Sequence, residues 1–408
     1  MTNCKPITKC LACDSSWLVP TLNLGNQPLA NNFRSVESIA DEETYPLAIN
    51  RCGDCNHLQL THAVDPALIY THYLYVSGTS GTYVEYMDWY AQFVREQFGH
   101  WTSSVLDIGC NDGSQLDAFK KLGYTTYGVD PAENLHPKSS LRHDVVLGFW
   151  NEDSAARLGR DFDVITTQNS FAHIPDPVAY LTLAKDYLKN DGKIFISTSQ
   201  ADMIPNGEFD TIYHEHISYY NARSMKQLAE RVGLFLNDVI KTPIHGTSYI
   251  FVLSKKAGNQ ARVENILANE QALGLQTVST YTDWAYNIGE LLERLKDQIK
   301  EFNGFGYRVV GYGAAAKGMT LLNASGIHLD AVIDDNPLKQ GLYCPGTTIP
   351  VVSSDYISKI PADDMVVFVP LAWNFYSEIV KKIRAIRAND RDMFVRYFPN
   401  LKTDFYEN

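Results

Sequence analysis

The sequence predicts an α/β chain in three consecutive parts. These are a small N-terminal module over residues 1–70, a Rossmann-like domain over 71–254 and a second Rossmann-like α/β domain over 255–408. Three observations predict it. Two tight cysteine pairs, Cys10-Leu11-Ala12-Cys13 and Cys52-Gly53-Asp54-Cys55, punctuate a turn-rich start. An apolar strand runs into a glycine turn and a helix between Ser104 and Leu122. The same order of strand, glycine turn and helix returns between Tyr307 and Asn323. Strands alternating with helices imply parallel βαβ units, and 408 residues exceed one ordinary core.

Each element has its signal. The first 70 residues carry turns at Asn26-Gln27-Pro28 and at the second cysteine pair, and are too few for a large core of their own. A helical pattern spans Tyr83 to Gln97. Strands follow at Ser104 to Ile108, Thr126 to Asp130, Asp144 to Gly148 and Phe162 to Thr167. A helix spans Val178 to Leu188, and the turn Asn190-Asp191-Gly192 leads into a strand from Lys193 to Thr198. Lys255 to Asn303 is long and helical with polar breaks. The last part has strands at Tyr307 to Val310, Leu329 to Ile333 and Met365 to Pro370.

Composition narrows the classes. Hydrophobic residues make up 45% and charged residues 20%, the balance of a globular protein. A net charge of -12 gives no generic attraction for nucleic acid or for an anionic membrane face. No apolar run approaches the ~18 residues of a membrane helix, and Met1 to Pro20 is no secretory signal. Paired cysteines without an export signal favour metal over disulfides, so the expected compartment is reducing cytoplasm. Self-covering domains lead us to expect a monomer.

Four segments carry chemistry. Cys10, Cys13, Cys52 and Cys55 form two C-x-x-C knuckles, a tetrahedral thiolate set for a structural zinc ion. Asp107-x-Gly109-x-Asn111-x-Gly113 lies after a strand and before a helix, but lacks the G-x-G-x-x-G spacing of dinucleotide sites. That shifts the expectation from NAD to S-adenosylmethionine (SAM), whose ammonium and carboxylate suit Asp107 and Asn111. Asp130, at the end of the next strand, is placed for ribose hydroxyls. Tyr213-His214-Glu215-His216 is dense in titratable groups. If extended, it puts both histidines on one face as a general-base site or, alternatively, a metal site. Gly311-x-Gly313-x-x-x-Lys317-Gly318 offers N–H groups and a cation to a pyrophosphate, with Asp334-Asp335-Asn336 at the end of the following strand.

In this order the motifs resemble the bacterial nucleotide-sugar C-methyltransferase family over nearly the whole chain. The resemblance implies a small N-terminal zinc-binding module, a central SAM-binding Rossmann-like methyltransferase domain and a C-terminal Rossmann-like domain that binds the nucleotide-sugar. It implies C-methylation of a keto-deoxysugar linked to dTDP or GDP, at carbon 3 of a 4-keto sugar, through an enolate. His216 matches the family's base, and Tyr213, Glu215, His173 and Tyr75 match supporting residues. Asn169 joins the SAM contacts, and His245, Tyr312, Lys317 and Asn336 the substrate contacts. The chain departs from the family pattern at Thr247 and Gly78. Two rival readings remain: an O- or N-methyltransferase acting on a nucleotide-sugar, and an NAD-dependent sugar oxidoreductase.

Overall fold

The computed structural model describes residues 3–71, 76–79, 81–98, 104–200, 202–244, 247–258 and 260–405. Tyr75 and His245, both expected at the site, lie outside the described residues. The chain gathers into two compact units. The first comprises 1–20, 49–201 and 215–276, the second 21–48, 202–214 and 277–408. These cut across the consecutive boundaries expected from the sequence. Strands Leu18–Gln27 and Tyr45–Cys52 each start in one unit and end in the other.

The first unit is built on a sheet of β1 (Ser104–Ile108), β2 (Thr125–Asp130), β3 (Asp144–Leu147), β4 (Phe162–Gln168), β5 (Leu188–Thr198), β6 (Phe235–Thr242) and β7 (Ser248–Ser254). Its order is β6-β7-β5-β4-β1-β2-β3. β7 runs antiparallel to β5 and β6, while β1 to β5 pair in parallel. Strand alternation sorts the core into two layers. Leu106, Ile165, Ile194 and Ile196 face one, and Val105, Val164, Phe195 and Ile250 the other. Both layers are covered, which is why these strands read as unbroken apolar runs. The chain winds outward from β1 in both directions, so the crevice beyond the carboxyl ends of β1 and β4 is the topological switch point.

The cysteine module is continuous with this unit. Strand Leu58–Leu60 pairs antiparallel with Ile49 to Arg51 and with Ser218–Tyr219. Cys10, Cys52 and Cys55 lie in the same buried layer as Met225 and Leu228 of helix Ala222–Arg231. That helix starts on a capping box between Asn221 and Ser224.

The second unit carries β8 (Arg308–Tyr312), β9 (Ala331–Ile333), β10 (Val351–Val352), β11 (Val366–Pro370), β12 (Met393–Arg396) and β13 (Lys402–Asp404), in the order β10-β9-β8-β11-β12-β13. Only β13 is antiparallel to its neighbour. Helix Val278–Gly304 buries Trp284, Ile288, Leu292, Leu295 and Ile299, a stripe spaced by three and four residues. Among the described residues, no helix is long and apolar enough to cross a membrane.

Candidate active site and zinc centre

The four cysteines converge. Cys10 Sγ lies 3.5 Å from Cys55 Sγ, and Cys13 Sγ lies 3.5 Å from Cys52 Sγ. All four sulfurs fall within 4.8 Å of one another. A tetrahedral ion with ~2.3 Å bonds to sulfur needs sulfurs about 3.8 Å apart, so the set fits zinc. Cys4 is outside the cluster, and all seven cysteines are free thiols. The Cys10 sulfur, hydrogen-bonded by Cys55, is held below the usual thiol range, while burial holds Cys13 above it. A divalent cation would let all four ionise together. Arg231 braces the first knuckle by donating to the carbonyls of Leu11 and Ala12.

The expected cofactor residues collect at the carboxyl ends of β1, β2 and β4. Gly109 (φ +84°) donates its N–H to the Val129 carbonyl at 2.8 Å, and a Cβ at this position would lie 2.7 Å from Ser170 Oγ. The turn therefore needs glycine for both backbone and space. Asn111 and Gly113 also have positive φ. Asp130 Oδ2 accepts from Asn111 N at 2.7 Å and Oδ1 from Ala132 N at 2.8 Å. The expected ribose acid is thus fixed by two backbone donors, and each oxygen keeps a second lone pair for a hydroxyl. Asp107 is buried, and one of its carboxylate oxygens has no hydrogen-bond partner among the described residues. Burial, with the Asp130 charge nearby, pushes its pKa up to about 8. A buried, incompletely bonded carboxylate suits a cationic ligand group such as an ammonium.

Three supports were not legible in the sequence. Asn169 (φ +53°) donates through Nδ2 to Tyr83 OH at 3.0 Å. Ser77 N donates to Asn111 Oδ1 and Gly78 N to Asp112 Oδ2, so residues 77–78 lie against the loop. Gln200 Nε2 lies 3.3 Å from His216 Nδ1. Tyr83 belongs to helix Gly81–Glu96, and its spacing from Tyr86 and Tyr90 marked one helix face. Which polar atom each phenol meets is set by contacts distant in sequence.

Tyr213 to His216 departs from the expected geometry. The segment turns at 213–215 and becomes extended only at Ser218–Tyr219, so the two histidines do not share a strand face. His214 belongs to the second unit. It is buried against Tyr45, its Nε2 3.2 Å from the Tyr45 carbonyl, and burial lowers its pKa to about 4. Those contacts make His214 a packed residue. His216 belongs to the first unit and stacks on His173 at 5.2 Å with 28° between the rings. His173 comes from the short 3₁₀ turn Phe171–His173 that follows β4 and Asn169. Loss of hydration, with the adjacent His216 ring, holds its pKa well below the usual histidine range. Glu215 is buried and Tyr213 partly buried. Tyr70, which the sequence did not single out, also stacks on the His173 ring at 5.3 Å.

The second glycine loop repeats the design of the first. Gly313 N donates to the Ile333 carbonyl at 2.7 Å, and Asp334 Oδ2 accepts from Ala314 N at 2.7 Å. Its expected phosphate contacts are otherwise engaged. Lys317 Nζ lies 3.9 Å from Glu208 Oε2, 4.0 Å from Asp210 Oδ1 and 4.9 Å from the centre of the Trp373 ring. Asp210 Oδ2 accepts from Trp373 Nε1 and Tyr397 OH. The two buried carboxylates Glu208 and Asp210, from the loop after helix Met203–Asn206, thus lie nearest the Lys317 ammonium. Tyr312 OH donates to Asp335, and Asn336 Oδ1 caps a local turn at Leu338 N. Replacing Lys317 with Met strips two buried carboxylates of their cation. It lowers stability by about 1–3 kcal/mol in urea unfolding, and the deficit shrinks as pH falls and Glu208, whose carboxyl burial holds above its ordinary range, protonates.

Comparison with known proteins decides the family. Three family models match in order: "Putative zinc binding domain" over 10–70, "Methyltransferase domain" over 81–237 and "C-methyltransferase C-terminal domain" over 243–399. The C-methyltransferase NovU of Streptomyces niveus is 31% identical over 399 residues, which is 94% of this chain and 94% of NovU. The chain belongs to the C-methyltransferase family. A shorter likeness, 32% identity over 99 residues, is to a ubiquinone biosynthesis O-methyltransferase of Dinoroseobacter shibae and covers 23% of this chain and 40% of that relative. Among solved structures, the plantazolicin methyltransferase BpumL with SAH is similar at 15% identity and TM-score 0.36, over 44% of this chain and 87% of that one. This C-methyltransferase is SAM-dependent, and its four-cysteine cluster is the zinc site of its N-terminal domain.

Proposed function

We propose that the chain methylates carbon 3 of a nucleotide-linked 4-keto-deoxysugar through an enolate, with His216 as the base. The observation that carries this reading is the His173–His216 pair, with His173 four residues beyond the Asn169 turn at the SAM end of the sheet. An oxygen or nitrogen acceptor already holds a nucleophilic lone pair. A carbon acceptor must first lose a proton, which the neighbouring ketone acidifies, and an imidazole suits that transfer near neutral pH.

When bound, SAM supplies an electrophilic methyl group whose leaving group is neutral. The chain's own residues do the rest. A lone pair on His216 Nε2 requires the proton on Nδ1. Gln200 Oε1, which has no hydrogen-bond partner among the described residues, accepts that proton once its amide is turned. The depressed pKa of His173 keeps its ring neutral beside the imidazolium that His216 becomes. Asp107 and Asn111 hold the ammonium and carboxylate of SAM, and Asp130 its ribose. The nucleotide is dTDP or GDP. NMR of the product tests this reading: a methyl group bonded to ring carbon supports it, and a methyl on oxygen or nitrogen contradicts it.

The Asp107 assignment carries its own pH dependence. Its folded pKa of about 8 lies above the ordinary carboxylate value. The ligand-free protein therefore holds more protons than the unfolded chain between about pH 4 and pH 8, and this group makes stability fall as pH rises through that window. A bound ammonium favours the ionised form. SAM affinity measured by calorimetry accordingly rises from pH 6 to pH 8 with proton release, and Asp107→Asn flattens the dependence.

A further inference from the structure

The residues on either side of His216 are both held through their carbonyls by the N-terminal module. On one side, the Glu215 carbonyl accepts the Tyr70 hydroxyl at 3.2 Å. On the other, the Ile217 carbonyl accepts the Leu60 N–H at 2.8 Å. Ile217 in turn donates its N–H to the Ala172 carbonyl at 2.8 Å, which fixes the residue before His173. Strand pairing continues the link, Ser218 opposite Gln59 and Tyr219 opposite Leu58, and His57 Nε2 lies 3.2 Å from Ser218 Oγ. His57 is two residues beyond Cys55, so the second zinc knuckle runs directly into this strand.

Tyr70 completes the arrangement from the side chains. It ends the short helix Pro66–Tyr70, whose start is set by Asp65 accepting from Ala67 N and by proline in the first turn. Its ring lies parallel to His173 within 8° at 5.3 Å, and His173 then stacks on His216 at 5.2 Å. The three rings form one column, and Tyr70 is the end of it that comes from the N-terminal module.

We propose that Tyr70 is a positioning residue: through its ring and hydroxyl, the zinc-bearing module sets the placement of His173 and His216. The proposal rests on the reading of His216 as the base. Base catalysis is sensitive to displacements of an ångström, so a ring column anchored at one end translates packing into rate.

The test compares Tyr70→Leu with Tyr70→Phe in the zinc-loaded full chain. Tyr70→Leu removes both ring and hydroxyl, whereas Tyr70→Phe keeps the ring. In Tyr70→Leu, kcat falls by about 10- to 100-fold, while KM for SAM and for the methyl acceptor stays within about twofold. Tyr70→Phe recovers most of that loss. Without any substrate, the His216 ring-proton resonance shifts in Tyr70→Leu and not in Tyr70→Phe, although Tyr70 does not stack on His216 itself. An unchanged kcat or an unmoved His216 resonance in Tyr70→Leu overturns the proposal. So does a loss of kcat that is matched by lost zinc or a lowered melting temperature, since that is a merely structural role. If the resonance moves as expected while His216→Asn keeps full activity, the base reading fails and the positional link stands.

Discussion

Replacing His216 with Asn lowers kcat for methyl transfer by about 10³-fold, within the usual range for a lost general base. SAM affinity stays within about twofold. Transfer of a labelled methyl group and calorimetric titration with SAM read the two quantities separately. The selectivity follows from where the residues sit. The residues proposed to hold SAM are set by the turns after β1, β2 and β4. His216 comes from a different segment, which reaches the site through its stack on His173 and its contact with Gln200. Asparagine keeps a polar side chain of similar reach but cannot take a proton. Equal loss of kcat and SAM affinity would mean that the substitution had disturbed the sheet end rather than the chemistry. An unchanged kcat would remove His216 from the mechanism.

The second large effect is on the zinc centre. Cys52→Ser replaces a fully buried sulfur that lies 3.5 Å from Cys13 Sγ. Structural zinc contributes on the order of 10 kcal/mol in small zinc domains, so losing one of four ligands costs several kcal/mol here. The cost is not confined to the module. Its cysteines share a buried layer with Met225 and Leu228, and its strand Leu58–Leu60 pairs with the segment after His216. Cys52→Ser therefore lowers zinc content, melting temperature and methyl transfer together. Cys4→Ser, outside the cluster, changes none of them. Metal analysis beside thermal unfolding checks both variants, and a Cys52→Ser protein with normal zinc content contradicts the assigned ligand set.

Much of this was written in the sequence, for physical reasons. The central strands are buried on both faces, so Ser104 to Ile108 and Phe162 to Thr167 read as apolar runs and match β1 and β4 closely. The cysteine set was legible because two knuckles need only local turns, and the final fourfold meeting follows from chemistry. The hairpin of β6 and β7 was not singled out. The five residues between its two strands, 243–247, carry no two-residue hairpin signature in the sequence. Long-range contacts were the other blind spot. The spacing of His214 and His216 suggested a shared strand face, but Tyr45 draws one histidine into the second unit while His173 receives the other. Lys317 read as a phosphate ligand because its loop has the right residues. Only the fold shows Glu208 and Asp210, more than a hundred positions earlier, facing it. Tyr70 carried no local signal at all, since its importance lies in what it stacks on.

The central claim is that a proton leaves a carbon before a methyl group arrives on it. It is tested most directly with a nucleotide-linked 4-keto-deoxysugar deuterated at carbon 3, incubated with SAM and the zinc-loaded protein and read by mass spectrometry. The expected product has gained one methyl group and lost the deuterium, and the His216→Asn protein forms almost none of it. A methylated product that retains its deuterium would contradict the account.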